Sequence, residues 1–231
     1  MEIQFSSKDD LIDAIENEAK IKVEGFIESA IEEAQEVHSG IKREDGISPF
    51  LETHIFPVTI DVIRHYRSAN KFLTMLQIAS SLLHDIMEDN ERILDLYASK
   101  SYGFDAYFRH RFGEYVYDVA TTLKIKPLDD YNDFDEKVRG FERFKDYCAQ
   151  LLKSDYDVKA IKLADRINNM TFIANVPGHE KITRYLREAE DFYLAFTTIS
   201  PTMDDYYARL RKAYDDLRRI SSKSEEIVVN S

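Results

Sequence analysis

A ten-residue run at positions 80–89, SSLLHDIMED, concentrates side chains that could bind a metal ion or move a proton. It contains His84, Asp85, Glu88 and Asp89, directly after an apolar pair. The apolar spacing predicts a helix, and on a helix residues four apart lie on the same face. His84 would then stack with Glu88, and Asp85 with Asp89. The alternative is a solvated acidic helix end, and this run alone does not decide between the two.

Two distant segments add ligands of the same kind. Asp165 lies inside an apolar helical stretch at 161–170 (IKLADRINNM), and His54 lies where a loop gives way to a predicted helix. A buried Asp165 needs a cation, a salt bridge or a metal, because burying an unpaired carboxylate is costly. With His84 and Asp85, these residues supply two nitrogen and two carboxylate ligands. Such a set favours Mn²⁺ or Fe²⁺ over a structural zinc, which prefers thiolates.

Helices must position these residues, because seven Gly and five Pro in 231 residues are too few for the turns of an all-β chain. Apolar residues recur at three- and four-residue steps along most of the sequence. We therefore predict an all-α fold with one domain at 1–231, a core at about 20–200 and a polar tail from about 221 that frays. The predicted helices cover about 7–20, 23–37, 53–67, 71–88, 104–123, 134–153, 155–174, 180–198 and 202–220.

Composition excludes several classes of protein. A formal net charge of −12 argues against non-specific nucleic-acid binding, and 44% hydrophobic residues argue against disorder. The single Cys148 cannot form an internal disulfide, which suits a reducing cytoplasm. No apolar run is long enough to span a membrane, and the acidic N-terminus does not resemble a signal peptide. We expect a small-molecule substrate, and the sequence gives no oligomeric state.

The four ligand candidates match a known pattern. His54, His84-Asp85 and Asp165 resemble the H…HD…D signature of the HD phosphohydrolase superfamily. LLHDIMEDN resembles the LLHDVVEDT-type segment of RelA/SpoT-type alarmone hydrolases, and IKLADRINNM is similar to their KLADRLHNM segment. FGEYVYDVATTL and HSGIKR, at 38–43, resemble two further stretches of that branch. The resemblance covers about residues 20–200 and implies a single HD-type helical bundle.

The resemblance also implies a reaction, namely removal of the 3′-pyrophosphate from ppGpp or pppGpp to give GDP or GTP. The implied roles are one Mn²⁺ held by His54, His84, Asp85 and Asp165, activation of water by Glu88 and Asp89, contact with the guanine base by Arg43 and contact with the sugar by Asn169. Lys42, Lys162 and Arg166 are further candidates for binding substrate phosphates. The alternative for Lys162 and Arg166 is that they are solvated or pair with nearby acids. Since the chain is too short for a synthetase domain after the HD region, we expect no synthesis.

The chain departs from the branch pattern at several positions. His54 is followed by Ile-Phe-Pro rather than directly by Pro, and the interval from Pro49 to His54 is one residue longer. Glu44 stands where a basic residue is usual, Asn168 replaces a His and Thr171 an Arg. These departures bear on the substrate more than on the metal. Two alternatives therefore stay open: an HD phosphohydrolase acting on another nucleotide, such as a nucleoside 5′-monophosphate or NADPH, and an inactive HD-fold binding protein.

Overall fold

The computed structural model describes residues 3–88, 103–176 and 179–229 of the chain. Their secondary structure is helical, with no β-strand in these ranges, and the predicted all-α class is confirmed. The α-helices are α1 (Lys8–Asp13), α2 (Phe26–His38), α3 (Phe56–Ser68), α4 (Met75–Leu82), α5 (Gly103–Leu123), α6 (Glu136–Lys153), α7 (Tyr156–Ile173), α8 (Lys181–Glu188), α9 (Leu194–Phe196) and α10 (Asp204–Val229). Single π-helical turns lie at Ala14–Glu18, Leu51–Ile55 and Ala189–Tyr193, and short 3₁₀ turns at Leu128–Tyr131, Thr197–Ile199 and Pro201–Met203.

The helix starts follow from local chemistry. Ser7 caps α1 by accepting a hydrogen bond from the backbone N–H of Asp10, whose carboxylate accepts one from the backbone N–H of Ser7. Thr74 and Gln77 form the same reciprocal box at the start of α4. Such boxes satisfy N–H groups that have no partner within a helix. Both helices therefore begin close to where the sequence supplies these residues.

The core lies on both sides of α3. Ile60 and Ile63 belong to a hydrophobic cluster with residues of α1, α2, α4 and α5, whereas Val58 and Val62 belong to a second cluster with residues of α6, α7, α8 and α10. Helix α3 also runs directly against α7 and α4. The π turn before α3 contacts α2 and α7, so the residues on this turn lie at the junction of the two halves of the core. No helix in the described ranges combines the length and apolar character that a membrane crossing needs.

One predicted helix is wrong at a place that matters. The helix expected over 71–88 begins at Met75 and ends at Leu82, and residues 83–88 form tight turns instead. The His84 ring lies 2.8 Å from the carbonyl oxygen of Ser81, the acceptor that the N–H of Asp85 would use in a continuing α-helix. Glu88 instead donates its backbone N–H to the carbonyl of Asp85. The predicted stacking of His84 with Glu88 on one helix face therefore does not occur.

Three further boundaries differ from the prediction. Helix α5 is kinked at Gly113, where φ is +83° and only glycine is unstrained. The helix expected over 180–198 is interrupted by the π turn at Ala189–Tyr193. Helix α10 extends to Val229, past the predicted end at about 220. The predicted domain boundaries and the predicted fraying of the tail stay predictions.

Candidate metal centre

Three of the four predicted metal ligands converge in the interior. His54 lies on the π turn before α3, and His84 and Asp85 lie on the turn after α4. The Nε2 atom of His54 is 3.2 Å from Nε2 of His84 and 2.9 Å from Oδ2 of Asp85. One ligand atom from each of the three residues lies within 4.8 Å of the other two. Both imidazoles are buried, so water does not separate them.

The fourth predicted ligand, Asp165, is adjacent. It lies on α7, with Oδ1 3.5 Å from Nε2 of His54 and Oδ2 2.7 Å from Nζ of Lys162. Burial and the charge of Asp85 would raise the pKa of Asp165, but Lys162, together with His54 and His84, lowers it below its usual value. Burial likewise opposes the lowering of the Asp85 pKa, to which His84, His54 and Lys162 contribute. Both carboxylates are therefore ionised at neutral pH.

The π turn explains how His54 reaches the site despite the departures around it. A π turn closes over five residues and so holds one more residue than an α-helical turn. The turn at Leu51–Ile55 absorbs the extra residue between Pro49 and His54. Pro57 follows the π turn within the same helical segment and has no N–H to donate to the Thr53 carbonyl, which accepts from Asn168 and Arg43 instead. The His-Ile-Phe-Pro sequence thus still directs the imidazole of His54 toward Asp85.

The hydrogen bonds of the two imidazoles fix where their protons lie. His84 places Nδ1 2.8 Å from the Ser81 carbonyl oxygen, which can only accept, so Nδ1 carries the proton. His54 places Nδ1 2.8 Å from Oδ1 of Asn168. That amide has one possible orientation, since Oδ1 also accepts from Arg43 and Nδ2 donates to the carbonyl of Thr53. His54 therefore also carries its proton on Nδ1.

The Nε2 atoms of the two imidazoles consequently face each other beside two carboxylates. When both rings are neutral, the Nε2 atoms of His54 and His84 are acceptors 3.2 Å apart, with the oxygens of Asp85 and Asp165 next to them. Acceptors at such distances repel one another unless a proton or a cation lies between them. Two neutral imidazoles and two carboxylates also form a normal ligand set for a divalent transition metal. The residues present therefore fit a metal ion.

A cavity of about 370 Å³ opens beside these ligands. Glu88 lines it and is open to its solvent. Desolvation by the protein around the cavity raises the pKa of Glu88 to about 7, and the charges of Asp85 and Asp165 add to this rise. A carboxylate with such a pKa can take up a proton near neutral pH. Asp89, its predicted partner, lies outside the described residues.

Five cationic side chains line the same cavity: Arg143, Lys162, Arg166, Lys181 and Arg184. Nζ of Lys162 is 2.7 Å from Asp165 and Nη1 of Arg166 is 2.8 Å from Glu188. Both cations are therefore partners of acids, with Arg166 buried and Lys162 half-buried. Lys181 pairs with Glu44, whose pKa falls to about 2 because this bond and Arg43 outweigh the effect of burial. Within the described ranges, Arg143 makes no ion pair, and its buried Nε has no hydrogen-bond partner.

Arg143, Lys181 and Arg184 were not predicted from the sequence. Their spacing indicates shared helix faces, because Lys181 and Arg184 are three residues apart on α8 and Arg143 lies one turn before the cavity residue Tyr147 on α6. That spacing predicts only a shared helix face. The packing of α6 and α8 around the cavity decides that these faces are functional candidates.

Some of the predicted substrate-binding residues line the cavity and others do not. Asn169 lines the cavity and donates a hydrogen bond to Oδ1 of Asp165. Lys42 is exposed and does not line it. Arg43 is only 4% exposed and also does not line it, since its guanidinium is enclosed by side chains of this chain. The remaining buried histidine of α3, His65, packs against the rings of Tyr156 and Tyr206.

Comparison with known proteins gives one distant similarity. No family model matches the chain. A rice protein (Oryza sativa subsp. japonica) described as "Putative GTP diphosphokinase RSH1, chloroplastic" is 25% identical over 218 residues. The match covers 87% of this chain and 22% of the rice protein. The chain is thus similar to a RelA/SpoT homologue over most of its own length, and it spans about a fifth of that relative.

Proposed function

We propose that this protein is a metal-dependent phosphohydrolase of the HD type that removes the 3′-pyrophosphate of ppGpp or pppGpp. The observation that carries the proposal is the convergence of the Nε2 atoms of His54 and His84 with the carboxylates of Asp85 and Asp165. Similarity to a RelA/SpoT homologue supports a guanosine polyphosphate as the substrate. The rice protein is named for the synthesis reaction, so hydrolysis is the part that rests on the site.

His54, His84, Asp85 and Asp165 would hold one divalent ion, and this donor set favours Mn²⁺. When bound, such an ion neutralises charge on a phosphate oxygen and makes a water molecule more acidic. Glu88 accepts the proton of the attacking water, because its carboxylate lines the cavity beside the ligands. Asp89 is proposed as its partner on the resemblance alone.

The bond that breaks joins O3′ of the ribose to the first phosphorus of the 3′-diphosphate. Water adds its oxygen to that phosphorus, pyrophosphate departs, and O3′ takes up a proton to leave GDP or GTP. Arg143, Lys181 and Arg184 lie on the cavity wall, where cations offset the charge of a polyphosphate. These local charges matter more for binding than the net charge of −12, which salt screens over distance.

A second candidate function has one observation in its favour. The enclosure of Arg43 leaves little of its guanidinium open to the contact with a guanine base that the resemblance implies. This favours an HD phosphohydrolase that acts on a different nucleotide, such as a nucleoside 5′-monophosphate or NADPH. An inactive binding protein is less well supported, because a binder has no use for Glu88 beside the metal ligands.

Product analysis separates these functions. The Mn²⁺-loaded protein is incubated with ppGpp, pppGpp, GMP and NADPH, and the products are resolved by anion-exchange chromatography, with Asp85→Asn as the matched inactive control. GDP and pyrophosphate from ppGpp are expected. Phosphate released from GMP or NADPH, with ppGpp intact, would establish the second candidate. If no nucleotide is hydrolysed although Mn²⁺ is bound, the chain is a binding protein.

A further inference from the structure

Arg43 is fully engaged inside the protein. Its Nη1 donates to Oδ1 of Asn168 at 3.0 Å and its Nη2 to Oδ1 of Asn169 at 2.8 Å. Its Nε donates to Glu44 at 3.2 Å, and the guanidinium carbon lies 4.1 Å from the centre of the Phe172 ring. The planar guanidinium is therefore fixed along its edges and covered on a face, which leaves little of it to stack on a ligand.

Each of the two amides that Arg43 contacts holds one candidate metal ligand. Asn168 accepts the Nδ1 proton of His54 at 2.8 Å, which directs Nε2 of that ring at Asp85. Asn169 donates to Oδ1 of Asp165, the same oxygen that lies 3.5 Å from Nε2 of His54. Two ligands from distant parts of the chain are thus oriented by adjacent residues on α7.

The two amides need Arg43 because each could otherwise rotate. An asparagine presents an oxygen on one side and an NH₂ group on the other, and the two can be exchanged by a half turn. Arg43 only donates, so it holds both oxygens toward itself. Asn169 then directs its NH₂ group toward Asp165, and Asn168 directs its NH₂ group toward the Thr53 carbonyl.

We propose that Arg43 is a positioning residue of the metal centre, which acts through Asn168 on His54 and through Asn169 on Asp165. This inference rests on the metal centre of the proposed function and assigns Arg43 a role other than the base contact that the resemblance implies. Residues that orient a metal ligand commonly change metal affinity 10- to 100-fold when they are altered. Arg43 is placed to affect two ligands at once.

Arg43→Lys tests this role because it keeps the positive charge but loses the fork that donates to both amides. We expect Mn²⁺ affinity, measured by isothermal titration without nucleotide, to fall about 10- to 100-fold. Asn168→Ala should weaken it about tenfold and provides a second test if Arg43→Lys does not fold. Arg64→Lys is the matched control, since Arg64 is exposed and pairs only with Glu18 in the described residues.

Parent-like Mn²⁺ affinity in folded Arg43→Lys or Asn168→Ala would overturn the inference. If Arg43→Lys binds Mn²⁺ like the parent and only its KM for ppGpp rises, Arg43 contacts the substrate instead. If the parent binds Mn²⁺ but hydrolyses no nucleotide, the proposed function fails while the positioning role is still tested by affinity. If the parent binds no divalent ion, ¹⁵N NMR of labelled histidine tests whether Asn168 orients His54. The Nδ1–H form of His54 should be lost in Asn168→Ala. An unchanged spectrum would contradict the positioning role.

Discussion

Helix α7 packs against α3 and the π turn before it, and this contact has a histidine and an aspartate at each of its two ends. At one end, His65 stacks on Tyr206 and meets the Tyr156 hydroxyl at 2.6 Å, while Asp157 accepts hydrogen bonds from Tyr66, Tyr115 and Gln77. At the other end, His54 and Asp165 face each other and further acceptors. Neutral donors satisfy Asp157 at the first end, whereas at the second end two Nε2 atoms and two carboxylates converge. Residue type alone therefore does not mark a site; the convergence of several potential ligand atoms does.

The largest expected effect is at the acceptor-rich end. Asp165→Asn removes a charged oxygen from the ligand set and should weaken Mn²⁺ binding more than 100-fold and hydrolysis about 1,000-fold. Isothermal titration and product analysis measure the two effects. Parent-like Mn²⁺ binding in this variant would show that Asp165 belongs to a structural ion pair with Lys162, which would make the two ends alike.

Glu88→Gln tests whether turnover can be lost while Mn²⁺ binding is kept. The amide cannot accept the proton of water, so the turnover number should fall about 10²- to 10⁴-fold. Mn²⁺ affinity should stay close to that of the parent, because Glu88 is not in the ligand set. Single-turnover kinetics at saturating substrate provide the measurement, and an unchanged rate would remove Glu88 from the proposed mechanism.

At the end where tyrosines bond to Asp157, we expect a substitution to change stability rather than metal binding. Asp157→Ala leaves two tyrosine hydroxyls and the Gln77 amide without their acceptor and should lower the free energy of unfolding by about 2–4 kcal/mol. Urea unfolding checks this value, with Mn²⁺ titration alongside. A large loss of Mn²⁺ affinity in a folded Asp157→Ala protein would contradict the division between the two ends.

His65 gives this end a dependence on pH. Burial lowers the pKa of His65 from 6.5 to about 4, so the unfolded chain binds its proton more readily than the folded one. The shift contributes about 3 kcal/mol to the free energy of unfolding. This contribution is fully present above pH 6.5 and is lost as the pH falls toward 4. Unfolding free energies of the parent and of His65→Phe between pH 7.5 and 4.5 test it. Parallel curves for the two proteins would refute it.

The smallest expected effect lies on the cavity wall. Arg143 makes no ion pair within the described part of the chain, so Arg143→Gln should raise KM for ppGpp about tenfold, or about 1.4 kcal/mol, with little change in kcat. Arg139→Gln is the matched control, because Arg139 lies one turn away on α6 and bonds to Asn132 outside the cavity. Equal KM values for the parent and Arg143→Gln would exclude Arg143 from substrate binding.

Apolar periodicity predicted most helices correctly because buried stripes such as that of α2 repeat at helical spacing. It failed after Leu82, where the His84 ring takes the Ser81 carbonyl that the helix would need. Periodicity does not encode this competition between a side chain and the backbone. Periodicity also does not encode the kink at Gly113, which depends on a single positive φ.

The candidate site was predicted in part. His54, His84, Asp85 and Asp165 were chosen by residue type and spacing, and the structure brings them together, while their binding of a metal stays a prediction. The enclosure of Arg43 could not be predicted, because it depends on Asn168, Asn169 and Phe172, more than 100 residues away in sequence.

A crystal structure grown with Mn²⁺, with anomalous diffraction recorded at the manganese edge, would show whether one ion binds these four residues. We predict one anomalous peak within bonding distance of the Nε2 atoms of His54 and His84 and of carboxylate oxygens of Asp85 and Asp165. A well-ordered structure without a peak there, or with the two imidazoles bridged only by protons to the carboxylates at saturating Mn²⁺, would contradict it.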